Sequence, residues 1–169
     1  MNVILIADAG PLITLAYADA LDVLFKPGWS VQLVDMVVHE VTRNDTPTSQ
    51  KISDWIAEHT IPVKQSETYQ RYSAALSAGQ NPRKSNLGEL AIQELMQQFV
   101  LSQPPEIGVF LFEDHKIART SFVLPDNCRK ISTRAFLEFL EQHNWIESAQ
   151  AIERKAVLAG RSFSQLRYP

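Results

Sequence analysis

A short β-branched apolar run, Val3 to Ala7, stops at Asp8, and Ala9-Gly10-Pro11 follows at once. The run is short, with no polar position inside it, so it reads as a strand covered on both faces. Pro11 fits the first turn of a helix, where its missing N–H removes no hydrogen bond. Asp8 therefore stands where the first strand hands over to the first helix. Ligands of open α/β sheets bind outside that carboxyl end.

The same alternation runs down the chain. Leu12 to Phe25 reads as helix in two pieces, closed by a Lys26-Pro27-Gly28 turn. Val31 to Val34 is a second strand, and Asp35 is placed to cap a helix through Val37, Val38 and Val41. Ser49 to His59 carries Ile52, Trp55 and Ile56 at helical spacing, and Ile61-Pro62-Val63 suits an edge strand. Glu67 to Ala78 is helical, and Gly79 to Ser85 is a basic, flexible connection. Asn86 opens the longest helix, whose apolar face is Leu87, Leu90, Ala91, Leu95 and Phe99, and Pro104-Pro105 ends it.

Ile107 to Phe112 is a buried strand running into Glu113 and Asp114, before a helix that holds Ile117 and Ala118. Lys130 to Ser132 is a short strand, and Ser132 or Thr133 caps a helix with Phe136, Leu137 and Leu140 inside. Trp145 to Leu158 reads as the last helix, followed by a tail from Ser162 to Pro169. Trp29, Trp55 and Trp145 fall in apolar surroundings and are expected in the core. Strands alternating with helices predict a central parallel sheet in a layered sandwich. Residues 1–145 are expected to form one domain, with 146–169 a C-terminal helix and tail packed on it or extending from it.

The net charge of −3 excludes a uniformly basic nucleic-acid coat, though not a local basic rim. One cysteine, Cys128, excludes an intrachain disulfide framework and fits a reducing compartment. No basic region precedes the N-terminal apolar run, and no apolar stretch is long enough for a bilayer. The expectation is a soluble, cytoplasmic protein with no membrane partner.

Four acids are candidates for chemistry: Asp8, Glu40, Glu89 and Asp114. Each has an ordinary explanation. Asp8 suits an Asx turn before Pro11, and Glu40 suits the wet face of a helix. Asn86 with Glu89 resembles a capping box, and Asp114 suits an N-cap. Collectively they suggest more. Two end the most apolar strands, and the other two lie near helix starts. Like charges about 5 Å apart repel by roughly 3 kcal/mol per pair at an effective dielectric near 20. Such a group needs bound protons or a cation among its members. Oxygen donors without paired His or Cys favour Mg²⁺ or Mn²⁺ over zinc.

At these residues the chain resembles the PIN-domain family of metal-dependent ribonucleases, which includes toxins of bacterial toxin–antitoxin pairs. The resemblance rests on IADAGPLITLA around Asp8, VVHEVTR around Glu40, LGELAIQEL around Glu89 and FLFEDHKIAR around Asp114. It implies a PIN-like three-layer α/β sandwich with a central parallel sheet flanked by helices. It also implies that the four acids gather on Mg²⁺ or Mn²⁺ to hydrolyse RNA. Asp8, Glu40 and Asp114 would be principal ligands, and Glu89 a ligand or a base that positions water. A cognate antitoxin and a homodimer are the partners it suggests.

The pattern departs from the family where a hydroxyl or second acid often stands. Ala9 and Gly10 follow the first Asp, and Leu90 and Ala91 follow the third-motif Glu. Fewer oxygens remain for a second ion; Glu113 could compensate, although neighbouring side chains on a strand face opposite ways. Arg43, Arg83, Lys84, Lys116 and Arg119 are candidate phosphate contacts, with an ordinary solvated face as the alternative for each. The histidines lack zinc-site spacing, and no Walker A loop, dinucleotide fingerprint or nucleophile elbow is present. Two other functions compete with a nuclease. One is a catalytically inactive PIN-like binding or regulatory module. The other is a phosphoacceptor receiver domain, which would want adjacent acids after the first strand.

Overall fold

The computed structural model describes residues 2–113, 116 and 124–162. Five strands make one sheet, β1 (Asn2–Ala7), β2 (Ser30–Val34), β3 (Val63–Lys64), β4 (Glu106–Phe112) and β5 (Cys128–Ser132). Their order is β3-β2-β1-β4-β5 and every pairing is parallel. The helices are α1 (Ala9–Tyr17), α2 (Asp35–Thr42), α3 (Ser49–Glu58), α4 (Glu67–Ser77), α5 (Leu87–Val100), α6 (Thr133–Gln142) and α7 (Ala149–Leu158). A 3₁₀ turn over Leu21–Phe25 follows α1, so the sequence's two-piece helix is real.

β1 is central because it can be buried on both faces: Ile4, Leu5, Ile6 and Ala7 are all in the core. β4 beside it is equally apolar, and Phe110 and Phe112 are fully buried. Each such side chain adds about 1.5–3 kcal/mol of transfer free energy. Phe99 of α5 meets Phe110 edge-on, with ring centres 5.7 Å apart, which seats α5 on the sheet. α6 packs on β4 and β5, and α7 lies against α1 and α6. The result is the α/β sandwich expected from the alternation.

From β1 the chain builds outward through β2 and β3, then returns to the other side of β1 as β4. The reversal of strand order falls between β1 and β4. That is the topological switch point, where a crevice opens at the carboxyl ends of the strands. Asp8 lies there, its backbone N–H donating to the Leu111 carbonyl at 2.9 Å and extending the β1–β4 ladder by one residue.

Several local expectations change. The last helix starts at Ala149, not Trp145, because Asn144 has a positive φ of 57° and the Ser148 hydroxyl accepts from Ala151 N–H. Trp145 is consequently part-exposed at 37%, whereas Trp55 is buried and Trp29 stacks on Phe139. Asp35 lies inside α2, not at its cap: its carboxylate accepts from Met36 N–H and from the Ser66 N–H and hydroxyl. It ties the end of β2 to the start of α4. The helix expected around Ile117 and Ala118, and the tail 163–169, lie outside the described residues. Among the described residues no helix is long and apolar enough to cross a membrane.

Candidate active site

Asp8 ends β1 and precedes α1, and none of its surface reaches solvent. Its side chain makes no cap hydrogen bond to α1, so the Asx-turn explanation does not hold. Instead Oδ2 accepts from Lys116 Nζ at 2.6 Å. Oδ1 is buried with no hydrogen-bond partner among the described residues. A buried carboxylate oxygen left unpaired costs about 1–3 kcal/mol or more, so it marks a place where a donor or cation belongs.

Glu40 is on α2 and half-buried. Its Oε1 accepts from the Gly88 backbone N–H at 3.1 Å, at the open N-terminus of α5. That end suits an anion, since its first N–H groups lack intrahelical partners. The residue before the helix, Asn86, is left-handed with a φ of 62° and makes no side-chain cap. The capping box expected from Asn86 and Glu89 is therefore absent, and Glu40 supplies an acceptor from a different helix. Gly88 permits this approach: a Cβ there would meet Glu40 Oε2 at 2.8 Å. Burial pushes the Glu40 carboxyl above its ordinary range, and the Asp8 carboxylate adds to the shift. The Gly88 N–H, Lys116 and Arg43 pull the other way.

Glu89 is the next residue, in the first turn of α5 and part-buried. Lys116 joins the three acids electrostatically. Burial disfavours its charge, but Asp8, then Glu40 and Glu89, outweigh that and hold its pKa above the ordinary value. Asp8, Glu40 and Glu89 thus address one ammonium from three elements. Asp114 and Arg119 lie outside the described residues. Lys116, read from sequence as a phosphate contact, has its ammonium committed to Asp8.

Arg43, Arg83 and Lys84 are exposed. Arg43 is felt by Glu40, and both Arg43 and Lys84 depress the pKa of His39 after the larger effect of burial. They flank the acids. His39 itself packs between Tyr69 and Tyr72.

Glu113 follows the end of β4 and is tied to α1. Its buried carboxylate accepts from Thr14 Oγ1 at 2.7 Å, and Arg161 Nε donates to the same hydroxyl at 3.0 Å. Arg161 also approaches Glu113 Oε1 at 3.8 Å. The Glu113 stem lies over the first turn of α1, where a Cβ on Gly10 would meet its Cγ at 2.4 Å. Glu113 anchors the strand end and does not add an oxygen to the acids beyond it.

Among the described residues no three Asp, Glu, His or Cys side chains already form a cage for an ion. The donor set still suits a hard cation. It is all oxygen, Asp8 Oδ1 is buried and unpaired among the described residues, Asp8 acts on Glu40, and Glu89 is felt by the Lys116 ammonium that Asp8 holds.

The site is an acid at the switch point of an all-parallel sheet, paired with Lys116, whose ammonium also feels the acids Glu40 of α2 and Glu89 of α5. Residues 4–81 match the model of the DUF3368 family, described as a PIN domain. That stretch holds β1 to β3 and α1 to α4, and with the remaining strands it makes an α/β sandwich as in PIN domains. No curated protein and no solved structure matches the chain significantly. PIN domains are generally nucleases and typically use divalent ions.

Proposed function

We propose that the chain is a Mg²⁺- or Mn²⁺-dependent endoribonuclease, acting in the cytoplasm as the toxin of a toxin–antitoxin pair. The observation that carries the nuclease part is Asp8: fully buried at the switch point, with one oxygen unpaired and two further acids beside it. The toxin role and the antitoxin partner rest on the motif resemblance.

Asp8 Oδ1 and Glu40 would hold the ion, with Asp114 as the third ligand that the resemblance supplies. When bound, a divalent ion there supplies a water of lowered pKa and neutralises charge on the phosphodiester. Glu89 would be a further ligand or the base that positions water. Gly88 N–H keeps the Glu40 carboxylate in place. Arg43, Arg83 and Lys84 hold RNA phosphates without reading bases.

Incubating the full chain with structured and single-stranded RNA and Mn²⁺ tests this. Cleavage should vanish with chelator, and in Asp8→Asn. Cleavage indifferent to both would reject the mechanism. A second reading, a PIN-like module that binds without cleaving, draws on the Lys116–Asp8 pair, because an ammonium already compensates one carboxylate oxygen. Calorimetric titration separates them, since that module needs no ion-binding step that Asp8→Asn removes.

A further inference from the structure

We propose that the trough between α5 and the sheet is a binding site for a short free peptide, with the peptide carboxylate at Lys64 and its ammonium at Glu106. None of the lining residues belongs to the acids around Asp8, so the site stands apart from the nuclease reading.

The trough has a volume of about 240 Å³, and neighbouring strands each give it one side chain: Lys64 of β3, Gln32 of β2, Ile4 of β1 and Glu106 of β4. α5 walls it with Gln98 and Phe99. The strand registers set the four strand residues on one face and on a diagonal. Lys64 is level with Val34, Gln32 with Ile6 and Glu106 with Asn2, so each step across one strand also moves two residues along it. At about 4.8 Å between strands and about 3.3 Å per residue, the Cα atoms of Lys64 and Glu106 are roughly 24 Å apart. Their long side chains take up part of that span. The remainder suits a peptide of two or three residues at about 3.5 Å each. Phe99 leans to the β4 side, against Phe110 and over Gly108, where a Cβ would come within 3.3 Å of its ring.

Gln32 is out of place by ordinary packing. It is the middle residue of an interior strand, half-buried between the core residues Val31 and Leu33. A parallel sheet covered on both faces calls for an apolar side chain there. Among the described residues the Gln32 carboxamide has no hydrogen-bond partner, and neither have the Gln98 carboxamide and the Lys64 ammonium. The Glu106 carboxylate is oriented by Asn2 Nδ2, which donates to it at 3.2 Å. The trough therefore offers a cation at one end, a carboxylate at the other, two carboxamides between them and apolar side chains alongside. A zwitterion with amide groups in its middle answers all four. Its carboxylate pairs with Lys64, its ammonium pairs with Glu106, and the carboxamides donate to and accept from its peptide units. A nucleotide has no cation for the Glu106 end, and a single amino acid is too short to reach both ends.

The test is calorimetric titration of the full chain with trialanine, N-acetyl-trialanine and trialanine amide. Trialanine should saturate one site per chain with a Kd below about 1 mM, and each blocked form should bind about 10-fold more weakly or worse. Lys64→Met should bind trialanine and its amide alike, and Glu106→Gln should bind trialanine and its acetyl form alike, because each has lost the group that tells the two apart. Gln32→Leu should weaken trialanine about 10-fold while keeping or raising the urea midpoint, since an apolar residue suits its place. A trialanine Kd above about 1 mM overturns the proposal, as do variants that keep both preferences. Tighter binding of alanine or of adenosine monophosphate than of trialanine also overturns it.

Discussion

The backbone N–H of Gly88 donates to Glu40 Oε1 at 3.1 Å, and the same glycine leaves no room for a side chain, since a Cβ would meet Glu40 Oε2 at 2.8 Å. The atom in the way is the free end of a flexible side chain. Gly88→Ala should therefore displace the Glu40 carboxylate and leave the fold intact, with stability within about 1 kcal/mol of wild type because Ala also favours the helix. Mn²⁺ affinity should fall roughly 10-fold or more, as when an orienting partner of a ligand is lost. Calorimetry and urea unfolding on the same sample check both halves. Unchanged Mn²⁺ binding would remove Glu40 from the ligand set.

Glu40 also predicts how the chelated protein responds to pH. Its carboxyl is shifted upward, first by burial and then by Asp8, so between the unfolded value of 4.5 and the higher folded value the native state holds more proton than the unfolded chain. Stability from this group is full below 4.5 and lost as pH rises through the folded pKa. Glu40→Gln keeps an acceptor for Gly88 N–H and cannot ionise. In chelator it should be more stable than wild type at neutral pH, with the gap closing as pH falls towards 4.5. Urea midpoints across that range read it directly; a gap that widens towards acid contradicts the direction of the shift.

The strand-end position of Asp8 was legible because a β-branched run, an acid and Pro11 fix a strand–helix junction in eleven residues. The partnership of Glu40 with α5 was not. It depends on Gly88 letting two helices approach across a separation of 48 residues, and sequence periodicity carries no signal for that. Asn86 and Glu89 matched a local capping pattern, but the left-handed backbone at Asn86 turns its side chain to no cap, and a distant carboxylate took the role. Lys116 was read as a candidate phosphate contact or an ordinary solvated charge; its ammonium instead holds Asp8 Oδ2 at 2.6 Å, a pairing across 108 residues for which the sequence carries no signal. Arg161 was missed altogether. It lies 147 residues from the Thr14 hydroxyl it donates to, and only the docking of α7 on α1 brings them together.

Thr14 is the hub of that distant contact, donating to Glu113 at 2.7 Å and accepting from Arg161 at 3.0 Å. Thr14→Val keeps the shape and deletes the hydroxyl in a buried place. A buried carboxylate that loses a donor costs about 1–3 kcal/mol. The urea midpoint should fall accordingly with an unchanged slope, since no new surface is exposed. A loss under about 0.5 kcal/mol, typical of surface changes, would show that the hydroxyl is dispensable to Glu113.

Arg43 lies just past the end of α2, where Glu40 feels its charge, and Lys84 lies shortly before α5. Both influence His39, the chain neighbour of Glu40. If RNA lies over the acids, these exposed cations meet its phosphates. In an Asp8→Asn background, which prevents cleavage, Arg43→Ala with Lys84→Ala should weaken RNA binding uniformly across sequences. Each lost phosphate contact on a single strand lowers the slope of log K against log salt by about 0.7, so the pair should lower it by roughly 1.4. Filter binding over a series of KCl concentrations measures the slope. An unaltered slope places the RNA path elsewhere and leaves both residues as ordinary solvated charges.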